Sequence, residues 1–131
     1  MVHIQTAHRM SIEKAVMAHD KRLLKYADRY RALKAELQTI GFISQGSVQT
    51  RRLACGNTGC RCHQDPKDRH GPYHYWTRKQ RGKTVGRKLT DEELNLYREW
   101  IDNNRKLQRI LREMRSVSAR ALAFTTGKKV S

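Results

Sequence analysis

An α+β fold, mostly α, follows from three features of this chain. Two apolar stripes at helical spacing mark long helices at about residues 11–40 and 90–118. The stretch between them alternates apolar and polar residues and is punctuated by glycines, which suits strands and turns. Within that stretch lie all three cysteines, Cys55, Cys60 and Cys62. The expected architecture is an antiparallel helical hairpin or coiled coil with a small, metal-stapled β-hairpin module between its helices. Residues 1–44 then form the N-terminal helix, 45–89 the β-hairpin module, and 90–131 the C-terminal helix with a flexible tail, all in a single domain.

The first helix rests on a run from Ser11 to Ile40 without proline or glycine, with Ser11 as N-cap and Gly41 as the stop. Val16, Leu23, Tyr30 and Leu37 recur every seven residues, and so do Ile12, His19, Tyr26, Leu33 and Ile40, giving a narrow heptad seam. The second helix starts at Thr90-Asp-Glu-Glu93, where Thr90 and Glu93 can satisfy each other's free backbone amides as a capping box. Its stripe is Leu94, Tyr97, Trp100 or Ile101, Leu107, Leu111, Met114 and Val117, interrupted by Asn104. At a rise of about 1.5 Å per residue both helices would be roughly 40–45 Å long, and matched lengths favour an antiparallel pair. From Ala119 to Ser131 the tail is expected to fray.

Between the helices, Gly46 to Ala54 is expected to be extended. Pro72 to Lys79 and Gly82 to Leu89 are expected to form a hairpin turning at Gln80-Arg81-Gly82.

Three thiols and an imidazole in the order Cys55, Cys60, Cys62 and His70, spaced C-x4-C-x-C-x7-H, can close a tetrahedron around one zinc ion. Gly56 and Gly59 are expected to supply permissive backbone angles at the bend. His63 and His74 are alternatives to His70. Four protein ligands leave no open position, so the ion would be structural; an iron–sulfur centre is the alternative use of the same thiols. With no cysteine elsewhere, the odd, clustered set argues against a disulfide framework and for a reducing compartment.

The chain of 131 residues is 37% hydrophobic, with two Trp, five Tyr and two Phe, too little for a large core. Its formal charge is +16, which makes a polyanion the expected partner. The charge is concentrated: residues 45–89 hold eleven Lys and Arg against two Asp. The expected nucleic-acid contacts are Arg51, Arg52, Arg61, Arg69, Tyr73, Trp76, Arg78, Lys79, Arg81, Lys83, Arg87 and Lys88. The aromatics suit stacking on bases beside the phosphate contacts. On a strand, Tyr73 and Tyr75 share one face, while His74, Trp76 and Arg78 share the other. At most one face can bind if the other packs on the zinc knuckle, which is the expected place of the aromatics. No signal-peptide or membrane-spanning run is evident, so a cytoplasmic protein is expected, nucleoid-associated if its ligand is DNA, and no membrane partner.

Gly46-Ser47, Arg52, Cys55-Gly56, Cys60-Arg61-Cys62, His70-Gly-Pro-Tyr73 and Gly82-Lys-Thr84, followed by an acidic helix start, resemble a family of short prokaryotic proteins without an assigned activity. The resemblance covers about residues 45–115 and leaves the N-terminal helix outside. It implies a mobile-element setting with a transposase or recombinase as a partner, and it supports Cys55, Cys60, Cys62 and His70 as one unit.

These readings lead to a non-enzymatic, zinc-containing nucleic-acid-binding protein, DNA being favoured over RNA, that serves as an accessory or regulator of a mobile element. Its helices would form a homo-oligomer or dock a larger partner. The alternatives are an RNA- or ribosome-binding protein and a coiled-coil adaptor whose zinc tip is scaffold. An enzyme is the least expected class. No separated carboxylate pair flanks the cysteines, no catalytic residue stands out, and Asp65 and Asp68 are better read as turn formers.

Overall fold

The structure, a computed structural model, describes residues 20–128. Its elements are α1 (Lys21–Gln38), β1 (Ser47–Leu53), β2 (His70–Gln80), β3 (Lys83–Leu89) and α2 (Asp91–Thr126), with short 3-10 turns at Arg61–His63 and Pro66–Asp68. The chain divides into two compact units. One is Gly41–Lys106, and the other joins the segments on either side of it. Helix α2 contributes its first turns to the former and its remainder to the latter.

In the helical unit, α1 begins where Asp20, in an extended conformation, accepts a hydrogen bond from the Arg22 amide at 2.8 Å. An unbroken helix from Ser11 is therefore corrected, because the chain is not helical at Asp20; Ser11, Ile12, Val16 and His19 lie outside the described residues. The seam positions that are described do pack. Leu33 and Ile110 are fully buried with Val117, and Tyr26, Tyr30, Leu37, Ile40 and Met114 surround them. Ile110 holds the position expected of Leu111, since the polar run from Asp102 to Lys106 resets the stripe. Arg109 bridges Glu36 and Glu113 at 3.1 Å each, Arg29 reaches Glu113 at 2.5 Å, and Arg22 lies 5.4 Å from the Phe124 ring. Helix α2 also continues to Thr126, well beyond the expected end near 118, and stops at Gly127 with φ +69°. The expected fraying from Ala119 is thus wrong as far as Thr126.

The 41–106 unit is built on a three-stranded antiparallel sheet in the order β1-β2-β3. Strands β2 and β3 are joined by a two-residue turn, Arg81 (φ +51°) and Gly82 (φ +79°), whose left-handed angles match the twist of a tight hairpin. Strand β1 pairs along the other edge of β2 from Ser47 opposite Thr77 to Arg51 opposite Tyr73. Helix α2 starts with the capping box read from the sequence: the Glu93 amide donates to Thr90 Oγ1 and the Thr90 amide to Glu93 Oε1, both at 3.1 Å. Its first turns lie on one face of the sheet, with Tyr97 5.1 Å from Trp76 and Asp91 3.7 Å from His74. Leu89, Leu94 and Ile101 are buried there. The segment before β1 is tied to the same helix. The Ser44 amide donates to the Trp100 carbonyl at 3.0 Å, Asn103 Nδ2 donates to the Phe42 carbonyl at 2.8 Å, and the Phe42 ring lies tilted against Trp100 at 5.1 Å.

The expected fold, a helical hairpin or coiled coil of matched helices at 11–40 and 90–118 carrying a two-stranded module, is therefore overturned. The helices are unequal, 18 and 36 residues long. The strands form a sheet of three, and that sheet takes the start of α2 for its own core. The third strand escapes a local reading because the link from β1 to β2 is not a short turn but the whole cysteine segment.

Two consequences can be measured. Leu33→Ala should lower unfolding stability by about 2–5 kcal/mol in chemical denaturation, whereas Leu122→Ala, at a position 64% exposed, should stay within about 0.5 kcal/mol. Hydrogen bonds from Arg109 and then Arg29 hold the Glu113 carboxyl below its ordinary range. A carboxyl depressed in the folded state stabilises at neutral pH, and that contribution disappears as pH falls through the folded value. The melting temperature of Glu113→Gln should thus lie below that of the parent chain at neutral pH, and the gap should close as pH falls through the folded value.

Candidate metal centre and the basic sheet

The cysteine segment is a compact knuckle made by local turns. The Cys60 amide donates to the Asn57 carbonyl at 3.1 Å and the Gly59 amide to Asn57 Oδ1 at 3.0 Å, so Asn57 shapes the bend. Gly56 and Gly59 do not take left-handed angles, contrary to expectation; the left-handed glycines of this unit are Gly46, Gly71 and Gly82. Asn57, followed two positions later by a glycine, was the signal for this turn. Asp65 caps the next 3-10 turn by accepting from the Lys67 amide at 3.0 Å, as its reading as a turn former implies.

The fourth donor comes from the start of β2. Between the pairs Arg51–Tyr73 and Leu53–His70 the register shifts, so two β2 residues, Gly71 and Pro72, oppose one on β1. Simple alternation would put His70 on the face of His74 and Trp76, and the extra residue resets it. Gly71 is required here. At φ +119°, a Cβ would lie 2.9 Å from the Arg51 carbonyl oxygen.

The structure brings the donor atoms of Cys55, Cys60, Cys62 and His70 within 4.8 Å of one another, so the four could hold a metal ion. Cys55 Sγ and Cys62 Sγ are 3.6 Å apart, and Cys60 Sγ is 3.4 Å from His70 Nε2. Zinc–sulfur bonds of about 2.3 Å and zinc–nitrogen bonds of about 2.0–2.1 Å imply tetrahedral edges of roughly 3.6–3.8 Å, close to both separations. Three thiols and an imidazole form a soft donor set, which fits zinc. The other imidazoles are engaged elsewhere. His63 Nε2 is 2.7 Å from the Cys55 carbonyl oxygen, and His74 Nδ1 is 2.8 Å from Thr50 Oγ1.

The thiols do not behave alike. Cys60 is held down to about 6 by the Cys62 amide and then by His70. At Cys62, the Cys55 amide at 3.3 Å favours the thiolate, but desolvation and the neighbouring thiols outweigh it and raise the pKa. Cys62 is also the one buried member, at 3% exposure.

The twelve basic and aromatic residues expected to contact nucleic acid do not form one surface. Trp76, Arg78 and Arg87 project from the face that meets α2. Trp76 Nε1 donates to the Gln45 carbonyl at 2.8 Å, Arg78 lies 4.0 Å from the Trp76 ring, and Arg87 pairs with Glu93 at 2.6 Å and Tyr97 at 3.1 Å. That face packs on the helix, not on the knuckle as expected. The cross-strand register puts Arg51, Tyr73, Lys79 and Lys88 on the opposite face. Arg52, Arg61, Arg69, Arg81 and Lys83 are exposed at the bulge, the knuckle and the hairpin tip. Among the described residues, Arg87 is the only one of the eleven cations in residues 45–89 with a carboxylate at ion-pair distance. No helix of the described residues is long and apolar enough to cross a membrane.

If the four donors share one ion, the chain should take up one Co2+ per molecule with the visible spectrum of a tetrahedral thiolate site, and zinc should displace it. Cys62→Ser should abolish that spectrum and lower the melting temperature of the sheet unit, because binding energy at such sites is folding energy.

The chain matches the family model described as a domain of unknown function (DUF6788) over residues 23–99. The match begins inside α1, so the N-terminal helix is part of the family's domain and not outside it, as the motif resemblance had implied. None of the curated proteins and none of the solved structures matches the chain. With more than half of its length matched, the chain belongs to the DUF6788 family.

Proposed function

We propose that the chain is a non-enzymatic nucleic-acid-binding protein whose Cys55, Cys60, Cys62 and His70 hold one structural zinc ion. The observation that carries this reading is the imbalance of charge around the cysteine knuckle. Eleven cations face two acids in residues 45–89, and ten of the eleven lack a carboxylate partner among the described residues. Cations packed so densely repel one another, and a phosphate backbone is the ligand that relieves this while releasing its own counterions.

The zinc would supply order instead of chemistry. A set of four protein ligands leaves no position for water or substrate, and the buried apolar residues of the 41–106 unit are few, Leu89, Leu94 and Ile101 among them. The ion would fix the knuckle to β2 and so space Arg61 and Arg69 relative to Arg51 and Arg52. In the mobile-element setting that the motif resemblance implies, the ligand would be DNA and the protein partner a transposase or recombinase, with the helices available for oligomer contacts.

Binding of zinc-loaded protein to labelled oligonucleotides should weaken steeply with salt. Replacing Arg81, Lys83 and Lys88 by alanine should reduce the slope of log affinity against log salt by roughly 0.7–0.9 for each phosphate no longer neutralised. An unchanged slope would place the interface elsewhere. Failure to bind any nucleic acid at low salt would remove the reading altogether and favour a protein-docking role.

A further inference from the structure

We infer that the sheet face turned away from α2 is a stacking platform for unpaired bases, so that the preferred ligand is a single-stranded segment of nucleic acid. This rests on the nucleic-acid reading above and names its substrate class. Alternation along β2 places Tyr73 and Tyr75 on this face, in the middle strand of three. The register sets Arg51 opposite Tyr73 on β1 and Lys88 opposite Tyr75 on β3. Lys88 Nζ sits 4.2 Å from the Tyr73 ring centre and the Arg51 guanidinium 6.0 Å from that of Tyr75. Arg51, Lys79 and Lys88 are exposed, and no acidic residue occupies any position of this face. Opposite Thr77, β3 carries Gly86, a position without a side chain where a backbone can approach closely.

Aromatic rings on a face crowded with cations and empty of anions match the two halves of a nucleotide. A ring offers a surface to a base, and a lysine or arginine beside it offers a charge to the phosphate. The exposed contacts of Lys88 and Arg51 with the tyrosines are replaceable, since both side chains are long enough to turn to a phosphate while a base takes the ring. Duplex DNA cannot use the platform in the same way. Its bases stack at about 3.4 Å and have no free face, whereas side chains two apart on a strand stand roughly 6.7 Å from each other. Bases must be unstacked to reach both rings, and an unpaired strand is already free to do so. The covered face offers no second platform, because Trp76 is engaged by Tyr97, Arg78 and the Gln45 carbonyl.

The full zinc-loaded chain should be titrated by fluorescence anisotropy against labelled oligo-dT and oligo-rU of about twelve nucleotides, within the usual range of single-strand sites, and against a duplex of the same length. Single strands should bind more tightly than the duplex, and the dT and rU arms should show whether the sugar matters. Tyr73→Ala and Tyr75→Ala should each weaken single-strand binding by roughly five- to a hundredfold without changing the salt slope, and phenylalanine at both positions should restore it. The Co2+ spectrum of each variant reports whether the knuckle has folded. A duplex that binds as tightly as the single strands, or alanine variants that bind single strands as well as the parent chain does, would overturn the platform while leaving the nucleic-acid reading standing. Absence of binding to all three probes would remove both.

Discussion

Four soft donor atoms gathered within 4.8 Å are the constraint on which the rest of the 41–106 unit depends. Thiols at this spacing oppose one another as they ionise: the Cys62 amide and then His70 hold Cys60 down to about 6, while desolvation and the neighbouring thiols push Cys62 up. A shared cation removes that opposition. The bulge at Gly71 follows from the same requirement. His70 has to leave the alternation of β2 to reach Cys60, and only a residue without a Cβ fits against the Arg51 carbonyl at that point. The knuckle therefore also settles where β1 and β2 begin to pair regularly, and with that which side chains lie opposite one another across the sheet.

Once the register is set, each strand residue is assigned to one of two faces with different tasks. The face toward α2 holds Trp76, His74 and Leu89 and engages most of its polar groups internally: Arg87 on Glu93, His74 on Thr50 and Asp91, Trp76 on the Gln45 carbonyl, while Arg78 lies over the Trp76 ring with Nη1 buried and without a hydrogen-bond partner. The far face commits few of its groups in this way. Its hydrogen bonds and cation–aromatic contacts, such as the Ser47–Thr77 hydroxyl pair at 3.1 Å and Lys88 over Tyr73, are of the kind that exchange with solvent or ligand. A sheet with one dry side and one cationic, aromatic side suits a small domain, where there is too little apolar material to cover both.

Much of this was legible in the chain because the relevant signals are local. The capping box at Thr90 and Glu93, the tight turn at Arg81-Gly82 and the stripe through Leu23, Tyr30, Leu33 and Leu37 each depend on residues a few positions apart. The cysteine and histidine spacing was readable for a different reason: few other arrangements explain three clustered thiols. What escaped was long-range. Pairing of β1 with β2 spans the whole knuckle, and nothing in the sequence of β1 names its partner. Asn103, which holds the Phe42 carbonyl, carries no local signal of that role, and only its neighbour Asn104 stands out as a break in the stripe. The end of α2 was placed too early because the Ala119 to Thr126 stretch has a weak stripe, and its stop signal, Gly127, lies beyond it.

The separation of the two faces also bears on how charge and fold can coexist. Eleven cations in forty-five residues would destabilise a unit whose core is this small if they were spread evenly through it. Here the ones that enter the packed face are neutralised or stacked, as Arg87 and Arg78 are, and the rest point outward, where water screens them. A metal ion held by the knuckle would make that arrangement tolerable by supplying coordinate bonds where the apolar core is small. A protein that held its sheet together by hydrophobic burial alone would have to surrender exposed cations to gain stability. With an ion in the knuckle they can be kept, and the open face retains its charge.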